Sequence, residues 1–192
     1  MVLLCTRVRL DSQTIVAAAA GIADLNGLDN VTLTSVANHL GVRKPSLYNH
    51  INGLPELKGQ LAIWGTDQLR VKISEAAIGK SRHEAIEAIA EAYRLFAKER
   101  PGLYRAIVSS PDRENLELKV AIKKMMAVIS MVLEPYNLSA DDRTHAIRGL
   151  RSLMHGFASL EEAGWFAAPV DREESYQKLI NIFIRGIESS CD

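Results

Sequence analysis

Thr32–Ile51 read TLTSVANHLGVRKPSLYNHI, a pattern that predicts two short helices joined by a tight turn. Thr32 is a suitable N-cap for the first helix, because its hydroxyl can accept a free backbone N–H of the first turn. Gly41 can adopt the left-handed conformation that ends a helix sharply. Apolar residues between them recur at i, i+3, i+4 and i+7 and so share one helix face: Leu33, Val36, Ala37 and Leu40.

The second helix of the pair is predicted to begin around Pro45 and to be about eight residues long. Proline suits a first helical turn because the N–H that it lacks would have no partner there. Leu47 and Ile51 lie four residues apart, so both can pack against the first helix. The outward residues are polar: Lys44, Ser46, Tyr48, Asn49 and His50. A helix of this kind suits the DNA major groove, although an ordinary helix corner shows the same apolar pattern.

The composition is that of an ordinary globular chain. Of 192 residues, 47% are hydrophobic and 24% charged, which allows one domain or two modest ones. The 23 basic and 23 acidic residues cancel, which argues weakly against a large non-specific nucleic-acid surface. The two cysteines, Cys5 and Cys191, imply no disulfide framework. With no signal-peptide pattern and no membrane-spanning run, we expect a cytoplasmic protein with no membrane partner.

Helical patterns recur along the rest of the chain, and apolar–polar alternation nowhere persists. The sequence therefore predicts an all-α fold of about nine helices. Leu25 is expected on the inner face of the first helix, and Ser81 and Glu84 have the spacing of a capping box. Besides the pair above, the predicted helices run from Asp11 or Ser12 to Asn26, Leu54 to Ile78, Ser81 to Arg100, Pro101 to Ser110, Asn115 to Pro135, Ser139 to Ala163 and Asp171 to Ser189.

The segment Gly41–His50, GVRKPSLYNH, closely resembles the tetracycline-repressor (TetR) family, and the flanking regions extend the resemblance over essentially the whole chain. The resemblance implies that the second helix of the pair recognises DNA and that the protein acts as a homodimer on a palindromic operator. It implies a three-helix head in residues 1–54, with a basic arm at 1–10, and a helical body in residues 55–192 that dimerises and binds a small effector. The expected function is that of a ligand-released repressor.

Roles in DNA binding follow as hypotheses. Lys44 and Asn49 are expected at base edges and Ser46 at a base or a phosphate, since base contacts specify and phosphate contacts position. Backbone or groove contacts are expected from the remaining candidates: Arg7 and Arg9 on the arm, Thr34, Arg43 at the turn, Tyr48 and His50.

The fourth helix departs from the family pattern. Family members usually carry a lysine at its start that holds a phosphate, and here Leu54 stands in that position, followed by Pro55. Lys58, one turn further on, is the expected substitute, and free N–H groups at the helix start offer a second way to hold a phosphate.

The last two long helices carry the second informative pattern. Small and apolar residues recur at i, i+4, i+7 and i+11 of the first of them, and the small ones allow another helix to approach closely. That helix can come from the same chain or from a two-fold partner; the resemblance to the TetR family favours the partner. The interface candidates are Gly149, Leu153, Gly156, Leu160, Phe183 and Ile187.

Two further motifs resemble a TetR subgroup with a Trp-His-Gly signature. Pro101–Tyr104, PGLY, matches one of its segments. Met154-His155-Gly156 matches the signature itself, except that Met154 replaces the tryptophan.

No enzyme or cofactor motif occurs, and the histidines lack metal-ligand spacing, so we expect no catalytic site, metal or cofactor. Aromatic and methionine side chains suit an adaptable apolar effector cavity, although each one alone is more often plain core. The alternatives to a regulator are a helical interaction protein of the same fold that has lost DNA binding and, with less support, an all-α enzyme. The effector-site candidates are Trp64, Tyr93, Phe96, Tyr104, Met125, Met154, His155 and Trp165.

Overall fold

A computed structural model describes residues 10–109 and 114–189. In these two ranges the chain forms nine α-helices and two short 3₁₀-helices, at Leu28–Asn30 and Glu134–Tyr136, and no strand, so the all-α prediction is confirmed. The α-helices are α1 Ser12–Asn26, α2 Leu33–Leu40, α3 Lys44–Leu47, α4 Leu54–Ala77, α5 Arg82–Glu99, α6 Pro101–Val108, α7 Leu116–Leu133, α8 Ala140–Glu162 and α9 Arg172–Glu188. None of the described helices has the length and apolar character needed to cross a membrane.

Side-chain caps begin several of these helices where the sequence predicts them. Asp11 accepts the Thr14 N–H at the start of α1, and Ser139 and Asp171 cap α8 and α9 in the same way. The capping box predicted for α5 is wrong, because Ser81 makes no capping hydrogen bond. Arg82 adopts a φ of 49°, so the residue after the cap does not have the helical backbone that a capping box requires.

The inner face of α1 differs from the prediction at one residue. Leu25 is 82% exposed rather than buried. After α1 ends at Gly27, which has a φ of 88°, the chain turns into the 3₁₀-helix, and Leu28 and Val31 are buried there. Burial of these later residues leaves Leu25 and Asn26, the last two residues of α1, in solvent.

Among the described residues, the first of two compact units comprises residues 10–65, 101–109 and 114–115. Within it α6 lies directly against α1, because Gly102 has no side chain: a Cβ there would lie 2.0 Å from the Ala23 carbonyl carbon. The Leu103 N–H donates a hydrogen bond of 2.9 Å to the Asp24 carboxylate, so α1 also caps α6.

The second unit comprises residues 66–100 and 116–189 of the described ranges, and in it α5 packs against α7, α8 and α9. The buried guanidinium of Arg94 donates two hydrogen bonds, of 2.9 and 2.8 Å, to the Glu161 carboxylate on α8 and another to Glu173 on α9. It also lies over the rings of Phe157 and Tyr176, 5.6 and 5.3 Å from their centroids. One side chain therefore joins three helices of this unit.

Candidate nucleic-acid interface

Both ends of α2 are set by local hydrogen bonds. Thr32 and Ser35 form a reciprocal capping box, in which each side-chain oxygen accepts the other residue's backbone N–H at 3.0 and 2.9 Å. At the other end Gly41 is left-handed, with a φ of 66°. The Val42 N–H donates to the Ala37 carbonyl at 3.0 Å, the wide hydrogen bond of a Schellman motif. The predicted turn at Gly41 is confirmed.

The helix after this turn is shorter than predicted. α3 spans only Lys44–Leu47, with Pro45 in its first turn. The backbone then continues in hydrogen-bonded turns, in which the N–H groups of His50 and Ile51 both donate to the Leu47 carbonyl, at 2.9 and 3.0 Å. Asparagine and histidine are poor helix formers, and Gly53, with a φ of 109°, cannot extend the helix. We call Lys44–Ile51 the reading segment.

Apolar anchors hold the reading segment on its inner side. Leu47 is fully buried and Ile51 nearly so, as is Val36 on α2, which agrees with the predicted packing. The Ser12 hydroxyl at the start of α1 donates a 3.1 Å hydrogen bond to the His50 carbonyl. The far end of the segment is therefore tied to α1 as well.

The outer side of the reading segment is polar and open to solvent. Lys44 and Asn49 are exposed and Tyr48 is 52% exposed, whereas Ser46 and His50 are half-buried. The side chains of Lys44, Tyr48 and Asn49 make no hydrogen bond or ion pair with any other residue of the described ranges. Their polar atoms are available to a ligand without breaking an internal contact.

The other DNA-binding candidates are distributed around this segment. Thr34 is exposed in the first turn of α2, and Arg43 is exposed at the N-cap of α3. Lys58 is half-buried in the first turns of α4. Arg7 and Arg9 lie outside the described residues.

The start of α4 carries a residue that sequence reasoning missed. The Glu56 carboxylate accepts the Asn52 N–H at 2.8 Å, which closes the turn between the reading segment and α4. The sequence signal is an acidic residue in the first turn of α4, where a carboxylate can accept a backbone N–H at the helix start.

The effector-site candidates are divided between the two units. Trp64 and Tyr104 belong to the first and the other six to the second. Trp165 is 75% exposed in the turn after α8, away from the apolar interior. The His155 ring lies 3.4 Å, through Nδ1, from the Ser159 hydroxyl one turn along α8. Trp64 and His155 are half-buried, and the rest are buried: Tyr93, Phe96, Tyr104, Met125 and Met154.

The dimer candidates have different surroundings. A Cβ on Gly149 would lie 3.2 Å from the Phe183 ring, so this glycine allows α9 of the same chain to pack closely on α8. Gly156 has no other element within 4 Å of its Cβ position, and Leu160 is 45% exposed. Leu153 is half-buried and Ile187 is buried.

Two glutamates near Arg94 have pKa values shifted in opposite directions, a feature that sequence reasoning did not identify. Hydrogen bonds from Arg94 lower the pKa of the Glu161 carboxyl. Burial, together with the nearby Glu173 carboxylate, raises the pKa of Glu91.

Within the described ranges, no group of three potential ligands has a geometry that would hold a metal ion.

Sequence comparisons with known proteins point to a single protein family. The model described as the tetracyclin repressor-like C-terminal domain matches residues 86–183. YobS of Bacillus subtilis strain 168, named an uncharacterised helix-turn-helix-type transcriptional regulator, is 35% identical over 181 residues, which cover 94% of this chain and 94% of that protein.

Solved structures show the same fold. SCO7222, a TetR from Streptomyces coelicolor, superposes with a TM-score of 0.75 at 18% identity, covering 94% of this chain and 99% of that one. A TetR variant from Acinetobacter baumannii AYE in complex with minocycline gives a TM-score of 0.73 at 18% identity, with coverage of 96% and 99%.

Proposed function

The chain belongs to the tetracycline-repressor family of transcriptional regulators, and from that membership we propose that it is a homodimeric repressor which a small effector releases from a palindromic operator. Family members bind DNA and small molecules and are not enzymes. In this proposal residues 1–54 read DNA, residues 55–192 dimerise and bind the effector, and the protein works in the cytoplasm. The Trp-His-Gly subgroup is our further assignment, on the PGLY and Met154–Gly156 motifs.

The observation that carries the proposal is the two-sided reading segment. Leu47 and Ile51 are buried on one side, while the exposed side chains of Lys44, Tyr48 and Asn49 on the other side form no hydrogen bond or ion pair with another described residue. A DNA reader needs this arrangement, because its polar side chains must reach base edges while the backbone stays rigid.

Within this segment we assign base contacts to Lys44 and Asn49. A lysine pairs well with guanine O6 and N7, and an asparagine with adenine N6 and N7. Ser46, half-buried between them in sequence, contacts a base or a phosphate. Arg43 at the N-cap of α3 lies next to Lys44 and adds positive charge at the same end.

Phosphate contacts fix the head on the duplex without reading its sequence. We assign them to Thr34, Tyr48 and His50, with Lys58 taking the part of the lysine that Leu54 replaces. Arg7 and Arg9 extend into the minor groove. The hydrogen bond from Ser12 to His50 supports that assignment, since it fixes the exit of the arm beside the reading segment.

The proposed dimer is formed by α8 and α9 through the candidates named above. Gly156, with open space at its Cβ position, and the exposed Leu160 support close approach of a partner helix. Two-fold symmetry then presents two reading segments to half-sites about 34 Å apart, one turn of DNA, or somewhat more.

The proposed effector is apolar or amphipathic. Buried aromatic and methionine side chains of the second unit, among them Tyr93, Phe96, Met125 and Met154, are of the type that lines adaptable apolar ligand sites. The structural neighbour that holds minocycline supports a ligand-responsive body.

Selection of sequences from a random duplex pool tests the proposal. Enrichment of a palindrome at low salt, with a dimer in sedimentation, is the expected result. A single half-site without symmetry would contradict the dimer, and failure to enrich any sequence would contradict DNA reading. The failure would favour the second candidate, an interaction protein that has lost DNA binding, which the replacement of the usual lysine by Leu54 supports.

A further inference from the structure

The turn that follows the reading segment is closed by a negative charge. The Glu56 carboxylate accepts the Asn52 N–H at 2.8 Å, and the Leu57 N–H donates to the Gly53 carbonyl at 3.2 Å. The side chain is therefore fixed across the first turn of α4 rather than free to move away.

This carboxylate lies close to the residues that face DNA. Asn52 follows Asn49 by three residues, and successive Cα atoms are about 3.8 Å apart, so Glu56 Oε2 lies at most about 16 Å from the Asn49 Cα. The helical turns between Leu47 and Ile51 shorten this distance further.

No cation neutralises Glu56 within the described part of the chain. Among the described residues, its carboxylate accepts a hydrogen bond from the Asn52 N–H and forms no ion pair. Three and four residues along α4, where a lysine would form a helix ion pair, stand Gly59 and Gln60. Lys58 is two residues away and points to a different side of the helix.

A duplex bound to the reading segment brings phosphates to this charge. The major groove is about 12 Å wide and phosphates line both of its edges, so a side chain in the groove has phosphates on either side. The Debye length is about 30 Å at 0.01 M salt and about 10 Å at 0.1 M, so at low salt the repulsion spans the distance from Glu56 to the groove.

We propose that Glu56 is an electrostatic restraint on DNA affinity: it holds the turn that positions the reading segment, and its charge opposes the phosphates of any bound duplex. This inference rests on the proposed DNA binding. A carboxylate is favourable at a helix start, so the same charge that stabilises α4 limits the affinity. Since phosphates carry no sequence information, the restraint acts equally on operator and random DNA.

Two variants test the restraint in the full-length protein. Glu56→Gln keeps a hydrogen-bond acceptor for Asn52 and removes the charge. Gln60→Lys leaves the turn untouched and pairs Glu56 one helical turn away. The control is Glu117→Gln, which removes an exposed first-turn carboxylate from α7 of the second unit and changes the net charge equally.

Binding is measured on the selected duplex and on a random one, at low and at high salt. Both test variants are expected to bind both duplexes about threefold to tenfold more tightly at low salt, with a gain that shrinks at high salt. Glu117→Gln is expected to bind like the wild type. Glu56→Gln and Glu117→Gln are both expected to melt slightly below the wild type, because each removes a carboxylate from the first turn of a helix.

The outcomes separate this inference from the proposed function. A wild type that binds DNA, together with test variants that bind no more tightly, would overturn the restraint alone. A gain confined to the selected duplex would also overturn it, because that result indicates altered base reading. Absence of DNA binding by the wild type would overturn the proposed function and the restraint with it.

Discussion

Each of the two compact units is stabilised internally by a different kind of contact. In the first unit, the missing side chain of Gly102 brings α6 against the backbone of α1. In the second, the charged side chain of Arg94 joins α5 to Glu161 and Glu173, which lie 67 and 79 residues away in the chain. The unit that contains the reading segment thus depends on backbone shape, whereas the second unit depends on the ion pairs of a buried arginine.

The largest effect is expected from Gly102→Ala, which tests the backbone contact of the first unit. The added Cβ would lie 2.0 Å from the Ala23 carbonyl carbon, and backbone cannot move aside as a side chain can. Overpacking of this kind usually costs about 1–3 kcal/mol, and we expect a free energy of unfolding lowered by about 3 kcal/mol or more. Urea denaturation measures it.

The matched control is Gly59→Ala, in the same unit and inside α4. Its Cβ meets nothing within 4 Å, so the variant is expected to be as stable as the wild type or more stable by about 0.5–1 kcal/mol. Equal stability of the two variants would contradict the close contact between α6 and α1.

Arg94→Met tests the charge cluster of the second unit. Methionine keeps much of the packing on Phe157 and Tyr176 but leaves Glu161, only 16% exposed, without its partner. We expect the free energy of unfolding to fall by about 2–3 kcal/mol, below the cost of a fully buried pair because Glu173 reaches solvent. Arg70→Met, which breaks the exposed pair with Asp67, should cost less than about 1 kcal/mol. Equal losses would contradict the special role of the buried guanidinium.

The smallest expected effect is a pH-dependent change in stability caused by a substitution at Glu91 in the second unit. The pKa of Glu91 is raised by burial and by Glu173, so the folded state binds this proton more tightly than the unfolded state and the ionised form is unfavourable at pH 7. Glu91→Gln should therefore stabilise the protein at pH 7 by less than about 1 kcal/mol. The gain should disappear as the pH falls through the folded pKa towards the usual 4.5.

Glu161→Gln is expected to change the stability at pH 7 in the opposite direction to Glu91→Gln. Hydrogen bonds from Arg94 lower the pKa of Glu161, so its ionised form stabilises the fold above pH 4.5 and that stability is lost as the pH falls further. The variant should thus be less stable than the wild type at pH 7. Melting curves across this pH range measure both variants, and a Glu91→Gln variant that loses stability at pH 7 would contradict the assignment.

The difference between local and long-range contacts explains how much of the structure could be predicted from the sequence. The α2–turn–α3 region follows rules that act over a few residues, so the Thr32 cap, the Gly41 turn and the buried Leu47 and Ile51 were predicted correctly. The bounds of α4, α8 and α9 followed from periodicity and caps for the same reason.

Long-range contacts could not be predicted from these rules. Periodicity places Arg94 on α5, but nothing in the sequence pairs it with a glutamate 67 residues away. The contact of Gly102 with Ala23 depends on how α6 crosses α1 and is equally invisible. The predicted second helix is longer than the observed α3, because the polar residues after Leu47 form hydrogen-bonded turns and not a regular helix.

The central claim is that the exposed edge of the reading segment recognises DNA sequence. Titration of Lys44→Ala and Tyr48→Phe on the selected duplex and on a random duplex tests it most directly. We predict that Lys44→Ala loses about 1–3 kcal/mol of discrimination between the two duplexes, whereas Tyr48→Phe weakens binding to both by the same factor. Equal losses on both duplexes for Lys44→Ala would contradict base reading by this segment.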